Sequence, residues 1–217
     1  MTEVKICGLT RPRDVELACA LGAAYLGFNF AAASPRRVSP SAARVLAAAA
    51  RPAAVKVGVF VEETEAQIRE AIEAAGLDLV QIHRPLREAD LELPRPVLAV
   101  ARLRNGSAAI PEERLLARCR FVLFDAALPG RPGGTGTTLD WNALSGRRWP
   151  VPWMLAGGLD PENVAAAIAR ARPDAVDVAS GVESSPGVKD EDRMRRFFEA
   201  VRSADAPAPS SSGRRTG

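Results

Sequence analysis

The sequence has few of the residues that build metal centres and disulfide frameworks. It contains one histidine, three cysteines and only 5% aromatic residues. The cysteines form no CxxC pair and, being odd in number, cannot all pair with one another, which is typical of free thiols in a reducing compartment. A metal site is conceivable from Cys7, His83 and Asp125, but no two of them have the close spacing of zinc ligands. We therefore predict no metal and no disulfide.

Long apolar runs and one-signed charge blocks are also missing. No apolar run reaches the ~18 residues that span a bilayer, and no basic, apolar and small-residue leader pattern follows Met1. The formal net charge is +3, but the arginines are scattered among aspartates and glutamates. These absences argue against a membrane or nucleic-acid partner, and we expect a cytoplasmic protein.

The chain does contain a regular alternation of two patterns. Short runs rich in Val, Ile, Leu, Phe and Ala alternate with stretches in which apolar residues recur at spacings of three and four, as in repeated βα units. The predicted strands are Val4–Cys7, Ala24–Phe30, Val55–Phe60, Leu79–His83, Val97–Ala101, Phe121–Asp125, Trp153–Gly157 and Ala175–Ala179. Nearly continuous apolar strands are buried on both faces, so eight such units predict an α/β fold, a single-domain (β/α)8 TIM barrel. A doubly wound open sheet is the alternative, but no GxGxxG turn follows the first strand.

Residues that typically start or end helices, and a change in composition near the C-terminus, predict where the helices and the barrel end. Gly22 and Gly76 are predicted to end helices, and Asp160 before Pro161 is predicted to cap the start of one. The barrel is expected to occupy residues 1–202. The Pro-, Ser- and Gly-rich residues 203–217 have no apolar period and are predicted to form a disordered tail.

Polar residues and glycines close several predicted strands. Because the C-terminal ends of barrel strands meet at one mouth, these residues are expected to converge there. They are Cys7, Gln81 and His83, Asp125, Gly157 and Gly158, and Asp177 followed by Ser180 and Gly181. The sequence therefore predicts one site at the mouth.

Two glycine-bearing turns in this set are candidate phosphate sites. Glycine lets backbone amides approach an anion, and barrels often bind phosphate after strands seven and eight, where "LAGGLDPENV" and "VASGVESSPGVKD" stand. The other interpretation is that these glycines only tighten turns. A third stretch, "PGRPGGTGTTLDW", has the composition of a mobile loop over a ligand, with plain flexibility as the alternative.

Cys7 is the candidate nucleophile or base. A buried free cysteine is commonly a packing residue, but at a barrel mouth a thiol that ionises near positive groups can do chemistry. Lys5 stands two positions earlier on the same face of the strand, and we do not expect it to assist directly. His83 is equally compatible with a structural hydrogen bond and with catalysis.

Taken together, the motifs resemble a known family. They are "KICGLT" from Lys5, "SPRRVSP" from Ser34, "VGVFV" from Val57, "QIH" from Gln81, "GGTG" from Gly133, "DW" at Asp140, "LAGGL" from Leu155 and "VDVASGVESSPGVKD" from Val176. The chain resembles the phosphoribosylanthranilate isomerases of tryptophan biosynthesis along nearly its whole length.

The resemblance implies an Amadori rearrangement of N-(5-phosphoribosyl)anthranilate to 1-(2-carboxyphenylamino)-1-deoxyribulose 5-phosphate, without a cofactor. By the same resemblance Cys7 is the general base, Asp125 is the general acid, Arg36 holds the anthranilate carboxylate and Asp177 supports the site. We place Gln81, His83 and Asp177 with Arg36 as the substrate-binding residues. The expected partner is this phosphorylated small molecule, on a monomer or alternatively a homodimer.

Four positions depart from the family pattern, and two other functions stay open. The departures are Glu62, Arg84, Thr137 and Ala179. A related sugar-phosphate isomerase of histidine biosynthesis would act on a bisphosphate and would need a glycine-rich phosphate turn in the first half of the barrel, where none is seen. A non-catalytic binder of phosphorylated ligands is the other alternative, and intact Cys7 and Asp125 argue against it.

Overall fold

The computed structural model describes residues 1–104, 107–125, 144 and 146–206. Its strands are β1 (Glu3–Cys7), β2 (Tyr25–Asn29), β3 (Val55–Phe60), β4 (Leu79–Ile82), β5 (Val97–Arg104), β6 (Ser107–Ala109), β7 (Phe121–Asp125), β8 (Trp153–Ala156), β9 (Ala175–Val178), β10 (Glu183–Ser185) and β11 (Val188–Lys189). Its helices are α1 (Pro12–Leu21), α2 (Pro40–Ala48), α3 (Glu65–Ala75), α4 (Glu113–Leu116), α5 (Val164–Ala171) and α6 (Glu191–Asp205).

All the predicted strands form, and they close into a barrel. Strands β1 to β5 and β7 to β9 pair in parallel, β1 joins β9, and β4 joins β5 to complete the circle. Parallel partners in register point to the same side of the sheet. Lys5 is in register with Tyr25 and with Asp177, so these three side chains share the barrel interior. The predicted (β/α)8 barrel is confirmed.

Two apolar layers hold the barrel. The interior below the mouth is filled by side chains from alternate strand positions, which are Tyr25, Val57, Leu79, Leu98, Val100, Phe121, Leu123, Met154, Ala156 and Ala175. The other strand face packs against the helices in a larger cluster that includes Ile6, Leu26, Phe28, Phe124 and Phe197. A filled interior leaves room for ligands only at the mouth.

The helix ends at Gly22 and Gly76 are where the sequence predicts them. Gly22 and Gly76 end α1 and α3 with left-handed φ values of 101° and 59°. The predicted start at Asp160 needs a correction, because α5 begins at Val164 with Asn163 as its N-cap. The Asp160 carboxylate still accepts hydrogen bonds from the backbone N–H groups of Glu162 and Asn163, so it caps the preceding turn.

The connections after β4 and β5 are reduced. A 3-10 turn (Glu88–Glu92) follows β4, whereas β5 runs into an antiparallel hairpin with β6 and then the one-turn α4. The "PGRPGGTGTTLDW" segment predicted to be mobile lies outside the described residues. None of the described helices combines the length and apolarity needed to cross a membrane.

The C-terminal helix extends further than expected. α6 continues to Asp205, so residues 203–205 belong to a helix and not to the predicted tail. The Asp205 carboxylate accepts hydrogen bonds from the backbone N–H and the hydroxyl of Thr2, at 2.5 and 2.9 Å. This contact ties the end of α6 to the start of β1. The predicted tail from residue 207 onward lies outside the described residues.

Candidate active site

A cavity of about 230 Å³ opens at the C-terminal ends of the barrel strands. All the predicted site residues except Gly181 line it, namely Cys7, Arg36, Gln81, His83, Asp125, Gly157, Gly158, Asp177 and Ser180. Gly181 lies in a neighbouring cavity of about 310 Å³ that shares Gly158 and Ser180 with the first. The structure therefore brings the predicted residues together, although they come from distant parts of the sequence.

Cys7 lies at the end of β1 beside Gly27 of β2, with which it is in register. A Cβ atom on residue 27 would lie 2.9 Å from the Cys7 Sγ, so glycine there leaves space for the thiol. Burial raises the pKa of the Cys7 thiol, and the Asp177 charge adds to this, whereas the charges of Lys5 and Lys189 oppose it. The thiol is thus held between one carboxylate and two ammonium groups.

Lys5 takes a larger part than the sequence indicated. Its side chain is fully buried, and its Nζ donates to Asp177 Oδ1 at 2.9 Å. Burial opposes the Lys5 charge, but the neighbouring Asp177 and Cys7 outweigh this and raise the pKa of Lys5. A charged Lys5 also lowers the pKa of the thiol through its charge and a hydrogen bond. Lys5 interacts with Cys7 although it stands two residues away along the strand, because an extended lysine side chain reaches that far. The expectation that Lys5 does not assist directly in the chemistry stays a prediction.

Arg36 is held by a residue that sequence analysis missed. Its Nε donates to Glu183 Oε1 at 2.9 Å and its Nη2 donates to Glu183 Oε2 at 2.5 Å. These hydrogen bonds raise the pKa of Arg36. The guanidinium has five N–H donors, so the edge turned away from Glu183 keeps donors for an anion. Arg36 lines the cavity, whereas the exposed Arg37 lines a different one with Phe30.

Gly8 makes the position of Arg36 possible. A Cβ atom on residue 8 would lie 2.4 Å from the Arg36 Cδ, and the φ of Gly8 is +73°. The arginine side chain therefore passes directly over the backbone of the turn that follows β1. This explains the glycine after Cys7 in "KICGLT" on packing grounds alone.

Gln81 and His83 form a pair at the end of β4. The Gln81 Nε2 and the His83 Nε2 are 2.7 Å apart, so the amide donates to the ring and His83 carries its proton on Nδ1. Gln81 is only 1% exposed, and its Oε1 has no hydrogen-bond partner among the described residues. A buried acceptor in the wall of a cavity suits a ligand hydroxyl or N–H group.

Asp125 ends β7 and shares the cavity with Cys7. Its neighbour in register on β8 is Ala156. Phe124 points to the opposite side, where its ring packs 4.5 Å from that of Trp149. The Asp125 carboxylate therefore lies on the face of β7 that points away from the helices, towards the mouth.

Arg84, one of the departures from the family pattern, has a structural partner. Its two terminal nitrogens donate to the two Asp90 carboxylate oxygens, both at 2.6 Å. Burial opposes the charge on Asp90, but the hydrogen bonds and charge of Arg84 outweigh it and lower the pKa of Asp90. Arg84 therefore anchors the 3-10 turn after β4.

The two glycine turns pack against each other. Gly157 and Gly158 have positive φ values of 92° and 68° after β8. A Cβ atom on Gly181 would lie 1.9 Å from the backbone oxygen of Leu159, so no other residue fits there without movement of the turn. Gly181 is thus explained by packing as well as by any ligand.

Two arginines of α6 reach the neighbouring cavity, which the sequence analysis missed. Arg193 and Arg196 line it together with Gly158, Ser180 and Gly181. They stand three residues apart on the helix, so they share a face. The carboxylates of Asp160 and Glu162 line this cavity too, and Glu162 pairs with Arg196 at 2.7 Å.

The fold and this mouth define the class of protein. Within the described part of the chain, no group of three or more His, Cys, Asp or Glu side chains is placed to hold a metal ion. A thiol, two carboxylates and a guanidinium at the C-terminal mouth of a (β/α)8 barrel are the equipment of an enzyme that acts on a small anionic substrate.

Comparisons with known proteins give the particular family. The family model described as N-(5'-phosphoribosyl)anthranilate (PRA) isomerase matches residues 4–200. The isomerase of Paramagnetospirillum magneticum is 41% identical over an alignment of 208 residues that covers 92% of this chain and 97% of the relative. The chain belongs to the N-(5'-phosphoribosyl)anthranilate isomerase family.

Solved structures agree with this assignment. The isomerase of Thermotoga maritima has a TM-score of 0.81 and 34% identity, covering 94% of this chain and 100% of that one. An isomerase in complex with reduced 1-(o-carboxyphenylamino)-1-deoxyribulose 5-phosphate has a TM-score of 0.78 and 32% identity, with 94% and 100% coverage.

Proposed function

We propose that the protein converts N-(5-phosphoribosyl)anthranilate to 1-(2-carboxyphenylamino)-1-deoxyribulose 5-phosphate in tryptophan biosynthesis, and that it does so by acid and base catalysis without a cofactor. The observation that carries the proposal is that Cys7 and Asp125 share one cavity with Arg36 and the glycine turns. One cavity then offers a base, an acid and anion-binding groups, and family membership supplies the substrate.

Asp125 acts first, as the general acid. It gives a proton to the furanose ring oxygen while the bond between this oxygen and C1 breaks. The anilino nitrogen lone pair forms the C1=N double bond, which leaves an open-chain iminium ion. This step needs Asp125 in its protonated form, and a carboxylic acid at a partly enclosed mouth is suited to that role.

Cys7 acts second, as the general base. Its thiolate removes the proton from the sugar C2, whose acidity the iminium group increases. The C–H electron pair forms a C1=C2 double bond while the C1=N π electrons return to the nitrogen. The resulting enolamine loses its hydroxyl proton and gains a proton at C1 to give the ketone product. Burial raises the pKa of the Cys7 thiol, and the charges of Lys5 and Lys189 oppose this effect and help to stabilise the thiolate.

Arg36 receives the anthranilate carboxylate on the edge that Glu183 does not occupy. A guanidinium between two carboxylates can make two hydrogen bonds to each of them, which fixes the aromatic ring relative to the sugar. Gln81, through its unpartnered Oε1, accepts a hydrogen bond from the substrate, and His83 orients this amide.

The phosphate binds at Gly157, Gly158, Ser180 and Gly181 through backbone amides. The 3-10 turn Ser180–Val182 presents N–H groups at its start, and the glycines let the anion approach closely. Arg193 lies beside the same turns, whereas Arg196 is paired with Glu162. Asp177 lines the same cavity as Cys7 and also holds Lys5 beside Cys7.

The direct experiment combines an assay with complementation. The purified protein should convert N-(5-phosphoribosyl)anthranilate made in the cuvette, and its gene should restore growth without tryptophan to a strain that lacks this isomerase. The histidine-pathway alternative requires turnover of a bisphosphate aminoaldose instead. A protein that binds the substrate without converting it would support the non-catalytic alternative.

We further propose that the protein is a cytoplasmic monomer. Light scattering after gel filtration should give a mass near 23.0 kDa. A mass twice as large would favour the homodimer.

A further inference from the structure

The motif "SGVESSPGVKD" contains two buried charged residues, Glu183 and Lys189, to which the proposed chemistry gives no contact with the substrate. Glu183 begins β10 and Lys189 ends β11, and these strands form an antiparallel hairpin beside the mouth. Both side chains are buried, with 6% and 4% of their surfaces exposed. Burying charged groups is costly unless each is paired and hydrogen-bonded, so the partners of these two residues indicate what they do.

The Lys189 ammonium has a partner for each of its three protons. It donates to the backbone oxygen of Cys7 at 2.5 Å, to that of Ala179 at 3.0 Å and to Glu183 Oε1 at 2.8 Å. With its donors used, Lys189 has none left for a substrate. Its contacts join the end of β1, which carries the thiol, to the end of β9, which leads into the phosphate turn.

Glu183 extends this connection to the substrate-binding arginine. One carboxylate oxygen accepts from Lys189 and from Arg36 Nε, and the other accepts from Arg36 Nη2. Arg193 donates to the Glu183 backbone oxygen at 2.8 Å, which fixes the residue from α6. Glu183 therefore holds the guanidinium of Arg36, a residue that lines the cavity, through Nε and Nη2.

The Lys189 backbone is fixed as well. Its N–H donates to Asp14 Oδ2 at 3.2 Å, and its carbonyl oxygen accepts from Arg11 Nη2 at 2.9 Å. Arg11 and Asp14 are in turn paired at the start of α1. The ammonium thus projects from a braced position, as a group that orients its partners should.

We propose, on the basis of the proposed function, that Lys189 is a positioning residue whose ammonium sets the Cys7 backbone and, through Glu183, the Arg36 guanidinium at a fixed separation across the mouth. Reaction at C2 requires the thiolate to meet this carbon while Arg36 holds the carboxylate at the other end of the substrate. Small displacements of either group lower the rate, because catalysis depends on their alignment. Lys189 and Glu183 are not among the residues that line the cavity, so they act through Cys7 and Arg36.

The test compares Lys189→Met with Lys56→Met. Lys56 also pairs with a carboxylate, Asp78, but at the opposite end of the barrel, so it is a matched control. Lys189→Met is expected to lower kcat and raise KM, each by about tenfold or more, in protein whose circular dichroism is unchanged. Lys56→Met should leave both constants within about twofold. Equal effects of the two variants, or a Lys189→Met enzyme with wild-type constants, would overturn the proposal.

A double-mutant cycle separates positioning from a general loss of structure. In an Arg36→Ala background, Lys189→Met has no guanidinium left to misplace, so it should no longer raise KM while it still lowers kcat through Cys7. A full additional rise in KM in this background would overturn the link through Glu183. If Lys189→Met does not fold, Glu183→Gln takes its place, with a rise in KM of about tenfold and kcat within about threefold expected. An unchanged KM in Glu183→Gln would contradict the proposal.

A readout without substrate keeps this proposal apart from the function. The charged groups around Cys7 are Lys5, Asp177, Lys189 and Arg36. Loss of the Lys189 charge should slow alkylation of Cys7 by iodoacetamide at pH 8, measured by mass spectrometry of the peptide, whereas Lys56→Met should leave it unchanged. An inactive wild-type protein with this difference would refute the proposed function alone. Equal alkylation rates would refute the role of Lys189.

Discussion

The three lysines of the chain lie in two contrasting settings. Lys5 and Lys189 lie at the mouth, where both side chains are fully buried and each pairs with a buried carboxylate. Lys56 lies near the start of β3, at the opposite end of the barrel, where its side chain is 20% exposed and that of its partner Asp78 is 44% exposed. Lysine–carboxylate pairs are therefore buried at the mouth and partly exposed to solvent at the other end of the barrel.

This difference shows at which end of the barrel buried charges act on neighbouring groups. Water screens the pair at the lower end, so it contributes little to stability and does not affect its neighbours strongly. At the mouth, the low dielectric makes each charge felt by the groups beside it, including the Cys7 thiol. The charged interior is thus confined to the end that faces the substrate, and the rest of the barrel interior is apolar.

If function is confined to the mouth, the largest loss of activity is expected when Cys7 or Asp125 is substituted. Cys7→Ala and Asp125→Ala should each lower kcat by the ~10² to 10⁴-fold typical of the loss of a general base or acid, with little change in KM. Cys7→Ser should lose most activity too, because a hydroxyl is much harder to deprotonate than a thiol. Steady-state kinetics of the three variants test this.

Cys19 is the matched control for the thiol, since it is buried away from the mouth. Cys19→Ala should change the unfolding temperature more than kcat. If Cys7→Ala kept the parent rate while Asp125→Ala did not, Cys7 would be a packing residue.

The next effect concerns stability at the two ends. Lys5→Met leaves Asp177 as an uncompensated buried charge, which typically costs about 3 to 5 kcal/mol of unfolding free energy. Lys56→Met removes a partly exposed pair, worth about 0 to 1 kcal/mol. Denaturant unfolding of both variants measures the two losses. Equal losses would erase the contrast drawn between the ends of the barrel.

Substrate recognition offers a smaller effect within the mouth itself. Arg36→Ala should lose about 2 to 4 kcal/mol of transition-state binding, since it removes a two-pronged contact to a carboxylate. Arg37→Ala should change kcat/KM little, because Arg37 lies in another cavity. Comparable losses in both variants would refute the assignment of Arg36.

The smallest effect is expected at the glycine turns. Gly158 and Gly146 both have positive φ, 68° and 74°, and both have open space where a Cβ would be, so valine strains the two backbones alike. Gly158→Val should raise KM and the inhibition constant of inorganic phosphate by about tenfold. Gly146→Val should affect stability only. Unchanged phosphate inhibition in Gly158→Val would place the phosphate elsewhere.

Most strands and helices could be predicted from the sequence because apolar strand patterns and helical patterns alternate regularly along the chain. Parallel strands covered on both faces are continuous apolar runs, so Val55–Phe60 and Phe121–Asp125 are predicted with the bounds that the structure has. The β5–β6 and β10–β11 hairpins were missed, because short edge pairings carry no such run. The start of α5 was placed too early because Asp160 caps a turn rather than the helix.

The site was predictable in its positions but not in its pairings. Residues that end barrel strands must meet at the mouth, which is why Cys7 and Asp125 were found. The partners of Lys5 and Arg36 are 172 and 147 residues away along the chain, and nothing local marks such pairs. Single-sequence reasoning therefore identifies the groups at the mouth and misses the charges that hold them.

The most direct test of the account follows a proton. Substrate carrying deuterium at the sugar C2 is incubated with the wild-type protein and with Cys7→Ala, and NMR measures how fast the label leaves this carbon. The account predicts that the wild-type protein releases the label during turnover and that Cys7→Ala retains it over many wild-type turnover times. Release by Cys7→Ala at the wild-type rate would contradict the assignment of Cys7 as the base.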